Sequence, residues 1–171
     1  ALAVSELAGL PIEDALAGIA HVVVPGRLQR IDEGQDYLAI VDYAHKPAAV
    51  AAVIATLRSE IKGRLCVVLG AGGDRDASKR AIMGREAARG SDLFIVTDDN
   101  PRSEDPAVIR AAVEAGAYEL PTEERGEVRN IGDRAAAIRA AIAWAEPGDA
   151  VLVAGKGHET GQNVNGVIHH F

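Results

Sequence analysis

The stretch Leu93-Phe94-Ile95-Val96-Thr97-Asp98-Asp99-Asn100-Pro101-Arg102 indicates both a fold class and a candidate site. Its first four residues form a short apolar run, as in strands that are buried on both faces. A polar segment stiffened by a proline follows at once, and Ser103-Glu104-Asp105-Pro106 signals the start of a helix. This order is typical of an open α/β sheet, in which ligands bind beyond the carboxyl ends of the strands.

Apolar runs alternate with helical patterns along most of the chain. The runs that predict strands are Val22–Val24, Leu28–Ile31, Tyr37–Val41, Leu65–Leu69, Val128–Ile131 and Val151–Ala154. Helices are expected to begin near Pro47, Lys79, Asp105 and Asp133, and Asn165-Gly166 favours a late hairpin. Because strands and helices alternate, the sequence predicts an α/β fold, a Rossmann-like, doubly wound and mostly parallel sheet with helices on both faces.

Composition restricts the classes of function. The chain has 171 residues, 48% of them hydrophobic, and a formal net charge of -7, which argues against a nucleic-acid-binding protein. No apolar run in the sequence approaches the length of a membrane span. The single cysteine, Cys66, lies in an apolar strand pattern, so it is expected to be a packed thiol without a disulfide. These features predict a cytoplasmic protein with no nucleic-acid or membrane partner.

Two loops that follow predicted strands carry charged groups. The segment 98–102 offers two carboxylates, an amide and a guanidinium, which suit a small zwitterion, or else these side chains only cap their own turn. The glycines of Gly70–Asp76 allow a ligand to approach the backbone, or else form a plain strand-to-helix turn with solvated charges. This loop is neither a P-loop nor a dinucleotide-binding motif, because it lacks Gly-Lys-Ser/Thr and the third glycine.

Two further loops carry polar side chains of less specific meaning. Asp42 could accept hydrogen bonds from two ribose hydroxyls, and His45 could pack against a base or cap local structure. In the segment 155–159, Glu159 could receive an ammonium, with a surface turn as the alternative. The sequence shows neither the spacing of a zinc site nor a Ser/His/Asp arrangement. It therefore predicts no metal ligands and leaves the catalytic residues unassigned.

Taken together, four motifs resemble those of a known family. The motifs are Asp42-Tyr43-Ala44-His45-x-Pro47, Gly70-Ala71-Gly72-Gly73-Asp74-Arg75-Asp76, Asp99-Asn100-Pro101-Arg102 and Gly155-Lys156-Gly157-His158-Glu159. Their set and order are similar to those of the Mur ligases, most closely the MurE-type branch. The resemblance implies that 25–171 is the C-terminal domain of such a ligase, truncated at its end, and that 1–24 is the remnant of an upstream ATPase domain.

The resemblance implies an ATP-dependent amide ligation in peptidoglycan synthesis, and thus a part in cell-wall formation. ATP with Mg²⁺, bound mainly by the absent central domain, would phosphorylate the D-glutamate carboxylate of UDP-MurNAc-L-Ala-D-Glu. The amine of the third residue would then attack that acyl phosphate. The Asp-Asn-Pro-Arg motif is similar to the version that takes meso-diaminopimelate rather than lysine. Because the chain has no P-loop, it is expected to be inactive on its own.

The resemblance also implies the site residues. The diaminopimelate pocket would consist of Arg75, Asp99, Asn100, Pro101, Arg102, Gly155 and Glu159, and the nucleotide would face Arg27, Asp42 and His45. The guanidiniums would hold carboxylates through paired hydrogen bonds, and Glu159 would receive the distal ammonium. Lysine would leave a buried guanidinium without its carboxylate, so rejection by roughly 10⁴ or more is expected.

Other interpretations stay open. The chain could be a stand-alone amino-acid or nucleotide binding module, or a domain of a folate polyglutamate or cyanophycin type of ligase. Such ligases share the architecture but should lack the Asp-Asn-Pro-Arg pocket. A Rossmann dehydrogenase is disfavoured by the glycine spacing. One departure from the family pattern is Ala81, which stands where a proline usually follows Lys79-Arg80.

Overall fold

The computed structural model describes residues 2–20 and 22–170, and within these residues six strands form one sheet. Strands β1 to β6 are Gln29–Ile31, Leu38–Asp42, Leu65–Leu69, Leu93–Val96, Glu127–Asn130 and Ala150–Ala154. Their order is β1-β2-β6-β3-β4-β5, with β1 antiparallel to β2 and every other neighbouring pair parallel. The predicted Rossmann-like α/β class is confirmed.

The α-helices, a short 3₁₀ helix at Thr122–Glu124 and a separate hairpin complete the described chain. Helices α1 to α6 are Leu2–Leu7, Ile12–Ala20, Pro47–Glu60, Lys79–Gly90, Pro106–Tyr118 and Arg134–Trp144, and β7 (Gly161–Val164) pairs with β8 (Val167–His170). The predicted caps are confirmed, because Asp105 accepts from the N–H of Ala107 at 2.8 Å and Asp133 from that of Ala136 at 2.6 Å. Asn165 and Gly166 both have positive φ, as the predicted tight turn requires.

Helices cover both faces of the sheet. Side chains alternate along β3, so that Val67 and Leu69 face the cluster formed with α3, α4 and α5. Cys66 and Val68 face the opposite cluster, which contains residues of α6. The buried thiol confirms the packing expected of Cys66, and burial raises its pKa to about 12. The core is therefore divided by a central sheet in which β3 and β4 are fully buried.

One predicted strand is wrong. The structure gives Val22–Val24 no strand pairing, and all three side chains are exposed. Their β-branched side chains favour an extended backbone, but the edge of the sheet beside β2 is occupied by Gln29–Ile31. The weak strand pattern at Val128–Ile131 is confirmed as β5, which begins and ends one residue earlier than predicted. The boundary expected near residue 24 stays a prediction, and α1 has no buried residue.

None of the described helices combines the length and apolar character needed to cross a membrane.

Candidate functional site

Four loops meet at one edge of the sheet and enclose a cavity. They follow β2, β3, β4 and β6, which run parallel and end on the same side. The cavity volume is about 280 Å³, which suits a small ligand. Its lining includes the predicted residues Arg75, Asp99, Asn100, Arg102, Gly155 and Glu159, together with His45. The structure therefore brings six of the seven predicted pocket residues around one space.

The hairpin holds the backbone of Arg102, which has a left-handed φ of 54°. The N–H of Arg102 donates to the carbonyl of Asn163 at 2.9 Å, and the N–H of Asn165 donates to the carbonyl of Arg102 at 2.7 Å. The side-chain amide of Gln162 also donates to the carbonyl of Asp99 at 2.9 Å. Strand β7 and its turn therefore fix the loop that carries Arg102.

The guanidinium of Arg102 is half-buried beside the glycine-rich loop. Its Nη1 donates to the carbonyl of Gly73 at 2.6 Å, and the N–H of Gly73 donates to the carbonyl of Asn100 at 2.8 Å. Among the described residues, the guanidinium makes no other hydrogen bond to protein. Its remaining N–H groups are thus available to a carboxylate in the cavity.

Polar contacts join the glycine-rich loop to the segment that follows Arg102. The hydroxyl of Ser103 donates to Asp74 at 2.6 Å, and the N–H of Asp74 donates to Glu104 at 2.6 Å. The buried Arg80 donates to Glu104 at 2.7 Å, and this hydrogen bond holds the pKa of Glu104 below its ordinary value. The position of Arg75, which is exposed between these anchors, is therefore tied to that of the Arg102 loop.

Asn100, Lys156 and Glu159 form a hydrogen-bonded cluster at the other side of the cavity. The amide nitrogen of Asn100 donates to Oε2 of Glu159 at 2.8 Å. Its Oδ1 accepts from Nζ of Lys156 at 3.0 Å and from the N–H of Asn163 at 2.9 Å. Nζ of Lys156 is also 3.2 Å from Oε2 of Glu159 and 3.5 Å from Oδ1 of Asp99. These partners determine the orientation of the Asn100 amide.

The same cluster keeps Glu159 ionised. Burial acts to raise the pKa of this carboxyl, but hydrogen bonds from Asn100 and Lys156 outweigh it, and the pKa lies below its ordinary value. Oε1 of Glu159 makes no hydrogen bond to the described residues. This oxygen can therefore accept a hydrogen bond from a ligand ammonium.

Arg134, the first residue of α6, lies beneath these carboxylates and is 3% exposed. Its Nη2 donates to the carbonyl of Ala154 at 2.7 Å, and its Nε has no hydrogen-bond partner among the described residues. Burial lowers the pKa of Arg134, whereas Asp99 and Glu159 act in the opposite direction. The buried positive charge of Arg134 thus interacts favourably with the carboxylates of Asp99 and Glu159.

His45 and Tyr43 form another part of the cavity lining. Nδ1 of His45 lies 2.8 Å from the carbonyl of Tyr43. Because a carbonyl can only accept, we assign the hydrogen to Nδ1 and leave Nε2 as an acceptor. The guanidinium carbon of Arg27 lies 4.7 Å from the centroid of the Tyr43 ring. Arg27 does not line the cavity, although it is connected to it through this ring.

Asp42 lies outside the cavity lining, and both its oxygens accept backbone hydrogen bonds. Oδ1 accepts from the N–H of Ala44 at 2.8 Å, and Oδ2 accepts from that of Leu28 at 2.7 Å. The carboxylate therefore joins the start of β1 to the end of β2. Its predicted contact with ribose, like the nucleotide roles of Arg27 and His45, stays a prediction.

Two residues of the Asp-Asp-Asn-Pro-Arg segment support the site without lining the cavity. Pro101 is buried, and its carbonyl lies so close to Gly73 that a Cβ there would overlap it. Asp98 pairs with Arg110 of α5. Of the two carboxylates that the sequence suggested for a ligand, the cavity lining contains that of Asp99.

Sequence reasoning missed several residues at the site. Met83 lines the cavity, because α4 begins at its edge. Lys79 lines it too, although the sequence predicted Lys79 only as a positive charge beside the glycine-rich loop. Lys156 and Arg134 carry buried charges against the two carboxylates. The glycines on both sides of Lys156 could have indicated its proximity to a ligand. The burial of Arg134 had no signal, since it depends on how α6 packs below β6.

The described residues do not supply a complete site for ATP and a metal ion. They contain no group of three or more His, Cys, Asp or Glu side chains that could hold a metal ion. The acceptor Nε2 of His45 and the neighbouring Tyr43 ring fit a nucleoside edge, but no P-loop is present for the phosphates. No chemical step is therefore assigned to Mg²⁺ or to phosphates on this chain.

Comparison with known proteins gives a family and close relatives. The family described as Mur ligase, glutamate ligase domain, matches residues 26–157. The chain is 65% identical over 173 residues to the UDP-N-acetylmuramoyl-L-alanyl-D-glutamate--2,6-diaminopimelate ligase of Corynebacterium efficiens, a match that covers 100% of this chain and 33% of that protein. The chain thus spans about a third of the length of the curated relatives it matches.

Solved structures agree with this match. The structure of a UDP-N-acetylmuramoyl-L-alanyl-D-glutamate--2,6-diaminopimelate ligase has a TM-score of 0.77 at 38% identity, covering 99% of this chain and 34% of that one. A structure of E. coli FolC in complex with ADP has a TM-score of 0.64 at 27% identity, covering 92% of this chain and 35% of that one. The hairpin that holds Arg102 lies beyond the segment matched by the family.

Proposed function

The chain belongs to the Mur ligase family, as a glutamate ligase domain, and on that premise we propose that it binds meso-diaminopimelate for an ATP-dependent amide ligation. The bond would join an amine of this amino acid to the D-glutamate side chain of UDP-MurNAc-L-Ala-D-Glu. Support comes from relatives named 2,6-diaminopimelate ligases and from the side chains of opposite charge that line the cavity.

Arg102 carries the discrimination between diaminopimelate and lysine. Diaminopimelate has one carboxylate more than lysine, and a guanidinium can bind a carboxylate through two parallel hydrogen bonds. The half-buried Arg102 guanidinium is held by Gly73 and keeps other N–H groups for this contact. Arg75 and Lys79 line the same cavity and add positive charge for the second carboxylate. With lysine bound, the Arg102 guanidinium would lack its partner, which costs affinity.

The carboxylate of Glu159 supplies negative charge to the same pocket. Its Oε2 is occupied by Asn100 and Lys156, and its Oε1 is available to the distal ammonium. The fixed orientation of the Asn100 amide keeps the carboxylate in place without ligand. Such preorganisation reduces the entropy lost on binding. Arg102 and Glu159 thus offer opposite charges to the carboxylate and the ammonium that diaminopimelate carries on one carbon.

The rest of the reaction belongs to parts of the ligase outside this chain. We assign the binding of ATP phosphates, Mg²⁺ and the UDP-linked dipeptide to them, because the chain covers about a third of its relatives and contains no P-loop. Consistent with its nucleotide-linked substrate, the ligase is placed in the cytoplasm. A coupled ATPase assay on the 171-residue chain should detect no substrate-dependent turnover. Turnover would contradict this division of roles.

The observation that carries the proposal is the meeting of Arg102, Asn100 and Glu159 around one cavity. Titration calorimetry of the chain with meso-diaminopimelate, lysine and glutamate tests it. We expect diaminopimelate to bind more tightly than lysine, and Arg102→Ala to lose most of this preference. Arg89→Ala is the matched control, because Arg89 is exposed in the last turn of α4, away from the cavity.

Two results would overturn the proposal. Equal affinity of the unmodified chain for diaminopimelate and lysine would remove the proposed discrimination. Tighter binding of glutamate would instead favour a folate polyglutamate type of ligase, a class that includes structures of similar fold. Because glutamate carries two carboxylates but a single ammonium, it also tests whether Glu159 contributes to selection.

A further inference from the structure

We infer that Lys156 is a specificity-determining residue, which disfavours lysine by placing a buried positive charge behind the carboxylates of Asp99 and Glu159 in the cavity. This inference rests on the proposed function, since it concerns the choice between two amino acids at the same site. Lys156 does not line the cavity, and its side chain is 3% exposed. Its influence on a ligand therefore passes through the groups that it holds.

The geometry gives Lys156 a central position among those groups. Its Nζ lies 3.0 Å from Oδ1 of Asn100, 3.2 Å from Oε2 of Glu159 and 3.5 Å from Oδ1 of Asp99. Asp99 and Glu159 are the carboxylates of the cavity lining. One ammonium thus pairs with both, and it keeps their charge from acting fully on a ligand.

The charge of the ligand makes this pairing selective. Around neutral pH, diaminopimelate carries two ammonium and two carboxylate groups, whereas lysine carries two ammonium groups and one carboxylate. The cavity lining has three cations, Arg75, Lys79 and Arg102, against the two carboxylates. Lys156 adds another positive charge directly behind the carboxylates. The resulting positive potential opposes a ligand of net positive charge and has little net effect on a neutral zwitterion.

Removal of this charge has an effect that a purely structural role would not produce. Without the Lys156 ammonium, Asp99 and Glu159 would attract the ammonium groups of lysine more strongly. Loss of Asn100 and Glu159 positioning would weaken both ligands together. The ratio of the two dissociation constants separates these effects as long as the Arg102 loop keeps its position, because an equal weakening of both ligands leaves the ratio unchanged.

The test measures both dissociation constants by calorimetry on the 171-residue chain and its Lys156→Gln and Lys156→Met variants. We expect the preference for diaminopimelate over lysine to fall about tenfold in each variant, as expected for one charge at an intermediate effective dielectric. Lys62→Gln is the matched control, because Lys62 is exposed between α3 and β3 at the opposite edge of the sheet. Its preference should equal that of the unmodified chain.

The outcomes are distinguishable. An unchanged preference in folded Lys156 variants, with clear preference in the unmodified chain, would overturn the role of Lys156 alone. Absence of any preference in the unmodified chain would overturn the proposed function itself. Thermal unfolding monitored by circular dichroism establishes whether each variant is folded.

If both variants fail to fold, the unmodified chain provides a second measurement. The groups that face Glu159 are Asn100, Lys156, His158 and Arg134, with Asp99 beside them and the cavity cations opposite. Because the hydrogen bonds from Asn100 and Lys156 favour the ionised carboxylate, diaminopimelate affinity should persist as the pH falls to the ordinary glutamate pKa and decline only below it. A decline that begins above that pKa would overturn the pairing.

Discussion

Arg102 combines an unfavourable backbone conformation with the side chain that the proposed function needs most. A left-handed φ of 54° is uncommon for a residue with a Cβ and is typically found at functional sites. Two backbone hydrogen bonds to the hairpin maintain it, and Nη1 is held by Gly73. The local cost of this backbone is thus offset by its surroundings, and the guanidinium is directed along the glycine-rich loop.

The strain at Arg102 predicts a difference between two variants that both lack the guanidinium. Arg102→Gly should be more stable than Arg102→Ala by about 1 kcal/mol, because glycine adopts the left-handed region without a Cβ clash. Both variants should lose most of the preference for diaminopimelate over lysine. Urea unfolding of the two variants measures the difference in the free energy of unfolding. An alanine variant as stable as the glycine variant would show that the backbone is unstrained.

Asn100 predicts a loss of binding from a change of a single atom. In Asn100→Asp, a carboxylate oxygen would replace the amide nitrogen that donates to Glu159 at 2.8 Å, so two carboxylates would face each other. Diaminopimelate affinity should fall at least about tenfold. Asn130→Asp is the control, because Asn130 likewise donates to a glutamate, Glu114, at 2.8 Å on an exposed surface. Retained affinity in Asn100→Asp would show that the hydrogen bond from Asn100 to Glu159 does not support ligand binding.

Among the elements, the β7–β8 hairpin holds the loop after β4 in place through hydrogen bonds, and we call this contact the hairpin clamp. The sequence predicted its turn from Asn165-Gly166 but gave no sign of where it docks, because that contact is made with a segment about 60 residues away. Its strands are partly or fully exposed and form a sheet of their own. Much of what fixes the hairpin is therefore its hydrogen bonding to the Asp99–Arg102 segment.

Gln162 tests the clamp. Gln162→Leu removes the hydrogen bonds from its amide to the carbonyls of Asp98 at 3.1 Å and Asp99 at 2.9 Å. We expect weaker diaminopimelate binding, because the loop with Arg102 would lose part of its support. Gln35→Leu is the control, since Gln35 donates to the carbonyl of Ile31 at 2.7 Å in the β1–β2 turn. Calorimetry that shows equal affinities in both variants would contradict the clamp.

At the scale of the whole molecule, Asp149 joins the start of β6 to the start of β3. It accepts hydrogen bonds from Nη2 of Arg64 at 2.6 Å, from the N–H of Arg64 at 2.8 Å and from the N–H of Glu146 at 3.0 Å. Burial would raise the pKa of Asp149, but these hydrogen bonds outweigh it and the pKa lies below its ordinary value. The ionised carboxylate thus supports the sheet at the edge opposite the site.

The lowered pKa of Asp149 predicts how stability depends on pH. Its contribution is fully present above the unfolded-state pKa of about 3.9 and is lost as the pH falls through the lower folded-state pKa. Asp149→Asn should lower the free energy of unfolding at neutral pH by about 1–3 kcal/mol. It should also reduce the further loss of stability as the pH falls into the acid range. Urea unfolding between neutral and acid pH measures both effects. If the loss of stability at acid pH is the same in the variant, other carboxylates are responsible for that loss.

Glu60→Gln is the control for Asp149, because Glu60 pairs with Arg30 at 3.2 Å with both side chains exposed. Such surface ion pairs contribute little to stability. The control should therefore lose as much stability at acid pH as the unmodified chain does.

The fold was predictable where burial leaves a local pattern. Strands β3, β4 and β6 are apolar runs because helices cover both faces, and the capping aspartates precede α5 and α6 directly. Val22–Val24 has the same local pattern, but whether such a run pairs depends on which segment reaches the sheet edge first. Local patterns contain no information on that competition.

The candidate site was predictable as a set of loops but not as a network. Parallel strands bring their carboxyl ends to one edge, so the meeting of Arg102 with Glu159 followed from the fold. The burial of Lys156 and the use of both Asp42 oxygens by backbone N–H groups are tertiary contacts. Such contacts depend on side-chain geometry between distant segments, which residue types and spacing do not specify.

In the proposed function, Arg102 binds the carboxylate that distinguishes diaminopimelate from lysine. A crystal structure of the chain with meso-diaminopimelate tests it most directly. We expect one ligand carboxylate at about 2.7–2.9 Å from the Arg102 guanidinium and a ligand ammonium beside Oε1 of Glu159. A ligand bound elsewhere, or bound here with its carboxylates away from Arg102, would contradict it.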